Sequence, residues 1–177
     1  IRAEVAASAS AHHGPMGALY PGTCRSLDIQ EGQTRVAAGE PYALRLNMER
    51  AAPAAGGSLT WRDREAGTVA CRPQDLGDVV LARKDIATSY HLAVTVDDAF
   101  QGVTLVTRGV DLFAATHVHR LLQALLDLPT PEYHHHPLVT GADGQPLTTR
   151  DGADGLRALR DSGWSPADVR RAVGLES

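Results

Sequence analysis

A tyrosine and an arginine, Tyr90 and Arg108, have the residue types and spacing to bind an amino acid. Tyr90 opens an apolar run that ends in the acids Asp97 and Asp98, and Arg108 closes a second apolar run that begins at Val103. An arginine holds a carboxylate through two parallel hydrogen bonds, and a tyrosine hydroxyl adds one oriented hydrogen bond. If both runs are strands, the two side chains lie at strand ends, beside which open α/β sheets bind ligands.

A structural interpretation of the same pair stays open. Arg108 could instead form an ion pair with a nearby acid, Asp97 or Asp111, while Tyr90 packs as a half-buried aromatic of the core. Residue types alone do not separate the two interpretations, because structural ion pairs use the same side chains as binding sites.

Tyr20 and Cys24 have the residue types of a metal site. They lie in a loop rich in glycine and proline, and zinc needs about four ligands, which this pair alone cannot supply. His12 and His13 could add donors, but as neighbours they point in different directions. Cys71 is expected to be a buried thiol of the core. With two cysteines in the chain, no disulfide framework is expected.

The three consecutive histidines, His134, His135 and His136, also resemble a metal cluster. In a strand, alternate residues face opposite sides, so only His134 and His136 could share a face. The alternation therefore argues against a three-histidine metal site and favours a strand here, with a metal site as the less favoured alternative. His117 and His119 lie on the helix predicted over residues 115–126. They project about 200° apart around it, so they are expected to be surface or packing residues.

Composition narrows the class of protein. With 177 residues, one or two small domains are expected, and 43% apolar and 21% charged residues are ordinary for a globular protein. No apolar run approaches the ~20 residues of a membrane-spanning helix, and no signal peptide is recognisable, so a cytoplasmic protein without a membrane partner is expected. The net charge of −4 argues against indiscriminate nucleic-acid binding, although a local basic patch would suffice for one RNA.

Periodicity and turn residues predict the elements that must position these side chains. Residues 51–58 are expected to form a linker, residues 142–144 a turn, and Ser165 the N-cap of a terminal helix. The remaining predictions are helices over residues 1–13 and 115–126 and strands over residues 42–46, 59–61, 68–71, 79–82, 92–96, 103–106 and 133–139. From residue 77 onward this order predicts the second half of a doubly wound α/β fold, preceded by a mixed α+β region.

The segment from Tyr90 onward carries a family resemblance. It reads Y-x-L-A-V-x-V-D-D and then, from Gln101, Q-G-V-T-x-V-x-R-G-x-D-L. This pattern resembles the second half of the catalytic domain of glutamyl-tRNA synthetases, and most closely their shortened paralogues, the glutamyl-queuosine tRNA(Asp) synthetases. The resemblance implies that Tyr90 and Arg108 bind glutamate and that Asp111 lies near the adenylate. It also implies a histidine-bearing strand that leads to the ATP site, represented here by His136.

The same resemblance implies that the chain is divided into three parts. Residues 1–75 would be an insertion domain like the acceptor-binding domain, residues 76–145 the second half of a Rossmann-type catalytic domain, and residues 146–177 a signature loop with a short helical segment. Tyr20 and Cys24 would be the last two ligands of a zinc site. Since residues 1–5, I-R-A-E-V, match the segment that follows a C-x-C pair in the family, the other two ligands are expected upstream of Ile1.

Residues 143–152, D-G-Q-P-L-T-T-R-D-G, fall where the family has its version of the KMSKS loop. The loop keeps the family's frame, but Pro146 and Thr149 stand at the two lysine positions. The second of those lysines stabilises the triphosphate as pyrophosphate leaves, and such charge stabilisation is a large catalytic contribution. We therefore expect Arg150 to be the catalytic cation, with Thr149 near ATP. The alternative is an ordinary surface turn.

The resemblance implies a monomeric ligase that activates glutamate with ATP and Mg²⁺ and transfers it to queuosine of tRNA(Asp). The short segment after Asp151 is too small for the anticodon-binding domain of a full glutamyl-tRNA synthetase. No HIGH-type motif is found, so residues are expected upstream, and the chain alone is expected not to form an adenylate. Two alternatives stay open: part of a true glutamyl-tRNA synthetase, and a non-enzymatic module of the same fold that binds an amino acid or RNA.

Overall fold

The structure is a computed structural model, and it describes residues 13–140 and 155–175. Its strands are β1 (His13–Gly14), β2 (Gly17–Ala18), β3 (Ala43–Arg45), β4 (Thr60–Asp63), β5 (Gly67–Ala70), β6 (Val80–Arg83), β7 (Leu105–Gly109) and β8 (Glu132–His136). Its helices are α1 (Ile29–Ala37), α2 (Met48–Ala54), α3 (Tyr90–Phe100), α4 (Ala115–Leu125), α5 (Leu156–Asp161) and α6 (Pro166–Ala172), with short 3-10 turns at Pro73–Leu76 and Val110–Leu112.

A four-stranded sheet with the order β5-β4-β8-β7 forms the centre of the first compact unit, which ends at His136. Strand β8 pairs in parallel with both β4 and β7, while β4 and β5 form an antiparallel hairpin. Parallel neighbours need a crossover, and α4 provides it between β7 and β8. The predicted mixed α/β architecture with a parallel sheet is therefore confirmed. The boundary at residue 75 stays a prediction; β4 and β5 precede it and lie in the same sheet as β7 and β8.

Helix α4 was predicted from the apolar periodicity of residues 115–126. It packs against the apolar core and also contacts the sheet. Val118, Leu121 and Leu122 are buried and pack with Met48 and Leu76 in the main apolar cluster. Burying a leucine or valine side chain contributes about 1.5–3 kcal/mol. A second buried stripe of the same helix is polar, and its members contact the sheet: Thr116, His119 and Gln123.

The predicted strand over residues 92–96 is wrong, because this segment lies inside α3. Ser89 caps the helix, and its hydroxyl accepts a hydrogen bond from the Leu92 amide at 3.4 Å. The apolar side chains of this segment also fit a helical period, and the cap decides between the two patterns. Tyr90 is consequently the first residue of a helix and not a strand-end residue. Arg108 does lie near the carboxyl end of a strand, β7.

Several other predicted boundaries differ from the structure. Helix α1 was not predicted, although Asp28 caps it by accepting hydrogen bonds from the amides of Gln30 and Glu31. Helix α2 occupies the first half, residues 51–54, of the segment expected to be a linker. The strands predicted at residues 42–46, 59–61, 68–71 and 103–106 correspond to β3, β4, β5 and β7, and that predicted at 133–139 ends at His136. The strand predicted at residues 79–82 corresponds to β6, which pairs with β3 and is partly exposed.

The second unit begins at Pro137, and its described helices are α5 and α6. The predicted N-cap at Ser165 is confirmed. Its hydroxyl accepts a hydrogen bond from the Asp168 amide, and the Asp168 carboxylate accepts one from the Ser165 amide, which is a capping box. The helix predicted over residues 1–13 and the turn at 142–144 lie outside the described residues. Among the described helices, none is long and apolar enough to cross a membrane.

Candidate functional site

Arg108 lies at the centre of a buried polar network. Only 9% of the residue is exposed, and it stands beside His135 in the register of β7 and β8. Its Nε donates to His135 Nε2 at 3.1 Å, its Nη1 donates to His119 Nδ1 at 3.1 Å, and its Nη2 donates to the Thr116 hydroxyl at 2.5 Å. Three of its five N–H groups are therefore held by the protein.

Among the described residues, no acidic side chain forms a hydrogen bond or an ion pair with this buried charge, although the carboxylate of Asp98 lies close enough to interact with it electrostatically. The three acceptors of Arg108 are two imidazoles and a hydroxyl, and neither Asp97 nor Asp111 forms an ion pair with it. An arginine stays protonated even when buried, so the guanidinium keeps its positive charge. A buried charge is costly unless a counter-charge and hydrogen bonds compensate it. An anionic ligand would supply that compensation.

The network extends from Arg108 to Asp63 on one side. His135 Nδ1 lies 2.6 Å from Asp63 Oδ2, with both side chains almost fully buried. Asp63 Oδ1 accepts hydrogen bonds from the amides of Glu65 and Ala66, each at 2.9 Å. The carboxylate is therefore fixed by the turn between β4 and β5, two strands away from Arg108.

The other side of the network leads from Arg108 to Tyr90. His119 Nε2 lies 3.1 Å from His91 Nδ1. The half-exposed ring of Tyr90 packs edge-on against both imidazoles, with centroid distances of 5.8 Å to His119 and 5.9 Å to His91. The two predicted glutamate-binding residues are thus brought into one cluster, although they do not touch each other and are connected through His119.

The histidines of this network are held in the neutral form. Burial, reinforced by the charge of Arg108, lowers the pKa of His119 to about 3 and also lowers the pKa of His91. Burial lowers the pKa of His135 as well, even though the hydrogen bond to Asp63 opposes the shift. Burial alone would raise the pKa of Asp63, but the hydrogen bonds from Ala66, His135 and Glu65 lower it overall.

A cavity of about 1000 Å³ adjoins the network, and Tyr90 and His91 are among its lining residues. Arg45 also lines it and lies 4.2 Å from the centre of the Tyr20 ring in a cation–π contact. Its Nη1 donates to the Asp78 carbonyl at 2.8 Å. The Asp78 carboxylate accepts two hydrogen bonds from Arg25, at 2.9 and 3.0 Å. This volume is sufficient for a small-molecule ligand.

Tyr20 and Cys24 do lie together, but they do not form a complete metal site. The Tyr20 hydroxyl accepts a hydrogen bond from the Cys24 amide at 2.7 Å, and Cys24 is exposed. Within residues 13–140 and 155–175, no group of three or more histidines, cysteines or acids could hold a metal ion. Two donors do not fit the tetrahedral coordination of zinc, so this pair cannot hold a zinc ion by itself.

Comparison with known proteins identifies the family. Residues 5–175 match the catalytic domain of the class I tRNA synthetases for glutamate and glutamine. The chain belongs to this family.

Individual relatives show how much of a family member the chain represents. A glutamyl-Q tRNA(Asp) synthetase of Rhodobacter capsulatus is 48% identical over 97% of this chain and 63% of its own length. A glutamate–tRNA ligase of Acidithiobacillus ferrooxidans is 39% identical over 96% of this chain and 34% of its own length. The glutamate-tRNA synthetase structure from Elizabethkingia anophelis shares the fold, with a TM-score of 0.70 and 23% identity over 97% of this chain and 38% of that one.

The remaining residues that the sequence predicted for the site are not members of the Arg108 network described above. Asp111 is exposed in the 3-10 turn after β7, and His136 is exposed at the end of β8. Arg150 and Thr149 lie outside the described residues. Their roles stay predictions.

Five residues of the network were missed or misassigned from sequence: Asp63, His91, Thr116, His119 and His135. His119 was expected to be a surface or packing residue; it is instead a buried hydrogen-bond partner of Arg108. A usable signal existed for His135. The alternation that places His134 and His136 on one face places His135 on the face of Tyr133, which is apolar enough to be buried. No comparable signal marked Asp63, because its contact depends on the parallel pairing of β4 with β8.

Proposed function

We propose that this chain is part of a glutamyl-queuosine tRNA(Asp) synthetase. In this proposal a cytoplasmic, monomeric enzyme activates glutamate with ATP and Mg²⁺ and transfers the glutamyl group to queuosine of tRNA(Asp). The buried Arg108, charged and with no acidic side chain bonded directly to it among the described residues, is the observation that carries the proposal. The name of the Rhodobacter relative supports the choice within the family, since the chain matches 63% of that relative.

Arg108 would hold a glutamate carboxylate, and Tyr90 would add a hydrogen bond from its hydroxyl. Charge-assisted hydrogen bonds from a guanidinium are roughly twice as strong as neutral ones, and the low dielectric of a buried site strengthens them. Binding in this site orients the substrate for attack on ATP. The protein then acts through positioning and electrostatic stabilisation, without a covalent enzyme intermediate. A zinc ion held in part by Tyr20 and Cys24, with further ligands from elsewhere, belongs to the same proposal.

A glutamyl-tRNA synthetase is the second candidate, because relatives with that name also match. The two candidates differ in the acceptor. In the full-length protein of which this chain is part, we expect glutamate-dependent pyrophosphate exchange, followed by transfer of labelled glutamate to tRNA(Asp) that contains queuosine. Transfer to tRNA(Glu) instead would favour the second candidate. Pro146 and Thr149 at the lysine positions favour a third, non-enzymatic module, and absence of any exchange would support it.

Glutamate is expected to bind more tightly than glutamine or aspartate. The amide of glutamine brings no charge to compensate Arg108, and aspartate is shorter by one methylene. The loss of one charged hydrogen bond costs about 1.5–3 kcal/mol, so glutamine should bind at least about tenfold more weakly. Calorimetric titration with the three amino acids measures this directly. Equal affinities for glutamate and glutamine would contradict the assignment of Arg108 to the side-chain carboxylate of glutamate.

Arg150→Ala is expected to slow pyrophosphate exchange on the order of 10²-fold, since Arg150 is the only cation in residues 143–152. Because the contact would form mainly in the transition state, glutamate affinity should not change. Thr149→Lys should raise the exchange rate. Arg160→Ala is a matched control, because Arg160 pairs with Asp161 on α5. An unchanged rate in Arg150→Ala would show that this loop is not the catalytic one.

A further inference from the structure

We infer that Asp63, His135 and His119 are positioning residues that hold Arg108 through uncharged imidazole acceptors, which leaves the guanidinium charge for a substrate carboxylate. This inference rests on the proposed function only for the identity of the anion. The geometry of the network itself determines the rest.

The proton positions in His135 follow from the two of its partners whose roles are fixed, Asp63 and Arg108. Its third partner, the Thr116 hydroxyl at 3.1 Å from Nε2, can either donate or accept. A carboxylate can only accept, so the 2.6 Å contact with Asp63 Oδ2 requires a proton on His135 Nδ1. A guanidinium can only donate, so the 3.1 Å contact with Arg108 Nε requires a lone pair on His135 Nε2. Both requirements are met by one neutral tautomer. Asp63 therefore selects the form of His135 that can accept from Arg108.

His119 is fixed in one tautomer for a similar reason. Its Nδ1 faces Arg108 Nη1 at 3.1 Å and must present a lone pair. Its Nε2 then carries the proton and donates to His91 Nδ1 at 3.1 Å. The order of donors and acceptors is thus set along the whole line from Asp63 to His91.

This arrangement orients the Arg108 guanidinium without neutralising its charge. A carboxylate bonded directly to Arg108 would orient the guanidinium and also cancel its charge. Here the carboxylate stands one imidazole away, so it orients Arg108 through His135. Besides the members of the network, three titratable side chains lie around the guanidinium: Tyr90 and Asp98 from α3, and Tyr133 from β8. The ring centre of Tyr133 lies 5.2 Å from the guanidinium carbon. Two N–H groups of Arg108 remain for a ligand.

Asp63→Asn tests the role of the carboxylate with almost no change in shape. Asp63 Oδ1 accepts from two backbone amides, so the oxygen of an asparagine would keep that place. Its NH₂ group would then point at His135 Nδ1 and donate. His135 would have to move its proton to Nε2, where it would face the Arg108 Nε donor. The substitution is therefore expected to reverse the tautomer and to displace Arg108.

The tautomer can be read without any substrate. In protein labelled with ¹⁵N-histidine, long-range ¹H–¹⁵N spectra distinguish a protonated from an unprotonated ring nitrogen. We expect Nδ1–H at His135 in the wild type and Nε2–H in Asp63→Asn, with His135→Gln assigning the signals. His134→Gln, on the exposed face of the same strand, is the control and should leave the His135 signals unchanged.

Glutamate affinity then tests the positioning role. Asp63→Asn should weaken binding about tenfold or more in the wild-type background, the size expected for one charged hydrogen bond. In the His135→Gln background the same change should alter affinity less than roughly twofold, because the glutamine oxygen accepts from Arg108 without help from residue 63. His119→Asn keeps an acceptor near the position of Nδ1 and should bind glutamate better than His119→Leu.

The outcomes separate this inference from the proposed function. An Nε2–H tautomer of His135 in the wild type, or equal losses of affinity on Asp63→Asn in both backgrounds, would overturn the inference. A wild-type protein that binds no glutamate would refute the proposed ligand, while the tautomer reversal would still decide whether Asp63 controls His135. If Asp63→Asn does not fold, the His119→Asn and His119→Leu pair decides, and equal affinities in that pair would overturn the inference.

Discussion

Arg108→Ala is expected to remove most of the affinity for glutamate. Truncating one partner of a buried, hydrogen-bonded charge pair costs about 2–5 kcal/mol, which corresponds to a loss of roughly 30-fold to several thousandfold. Part of this cost arises because the glutamate carboxylate would remain in a buried site without its cation. Arg108→Lys should also bind weakly, since a lysine cannot make the planar, two-pronged contact of a guanidinium. Calorimetric titration of each variant with glutamate provides the measurement.

Arg62→Ala is the matched control for this experiment. Arg62 is another arginine of the same sheet, but its side chain is 76% exposed and pairs with Glu132. Surface pairs contribute at most about 1 kcal/mol, so neither folding nor glutamate affinity should change much. Thermal unfolding of every variant separates a lost contact from a lost fold. If folded Arg108→Ala binds glutamate as the wild type does, Arg108 is a structural residue and the ligand site lies elsewhere.

Acidification is expected to destabilise the protein well above the range in which most carboxylates titrate. The pKa of His119 is lowered to about 3, so between pH 6.5 and 3 the unfolded chain binds a proton that the folded chain excludes. Stability is fully present above pH 6.5 and is lost at ~1.4 kcal/mol per pH unit below it. His119 alone should therefore lower the free energy of unfolding by about 2 kcal/mol at pH 5. The lowered pKa values of His91 and His135 act in the same direction.

Urea unfolding at pH 7 and pH 5 measures this loss. In His119→Asn the difference between the two pH values should shrink by about 2 kcal/mol, because that variant has no imidazole to protonate at this position. His134→Gln is the control, since His134 is a partly exposed residue that pairs with Glu65. The lowered pKa of Asp63 adds a further loss only at more acidic pH, as its carboxylate becomes protonated. A free energy of unfolding that is the same at both pH values would contradict the burial of neutral histidines.

Local signals in the sequence were sufficient for much of the fold. The stripe of apolar residues predicted α4, the apolar runs predicted β6 and β7, and Ser165 with Pro166 predicted the start of α6. The same kind of signal failed for α3, because its apolar residues suit either a strand or a helix and the cap at Ser89 was not weighed. Short helices such as α1 failed for a related reason, since a single capping residue, Asp28, carries most of their signal.

The candidate site was predictable only in part. Tyr90 and Arg108 were found because their residue types suit a carboxylate and because the segment between them resembles a family pattern. Asp63 could not be predicted, since it contacts His135 only because two strands that are distant in the sequence pair with each other. His119 was misassigned because polar residues of a helix are usually exposed, whereas this one faces a buried charge on β7. Long-range contacts between polar residues leave little trace in local periodicity.

The shared network around Arg108 also constrains how the site can evolve or be redesigned. Its members lie on four elements, yet each satisfies the donor or acceptor of another: Asp63, Arg108, Thr116, His119 and His135. A single substitution that removes a donor or an acceptor leaves either two donors facing each other or a buried polar group with no partner. A change of substrate preference therefore requires several of these positions to change together. Libraries that vary them jointly sample such compensated combinations, whereas scanning one position at a time passes only through impaired intermediates.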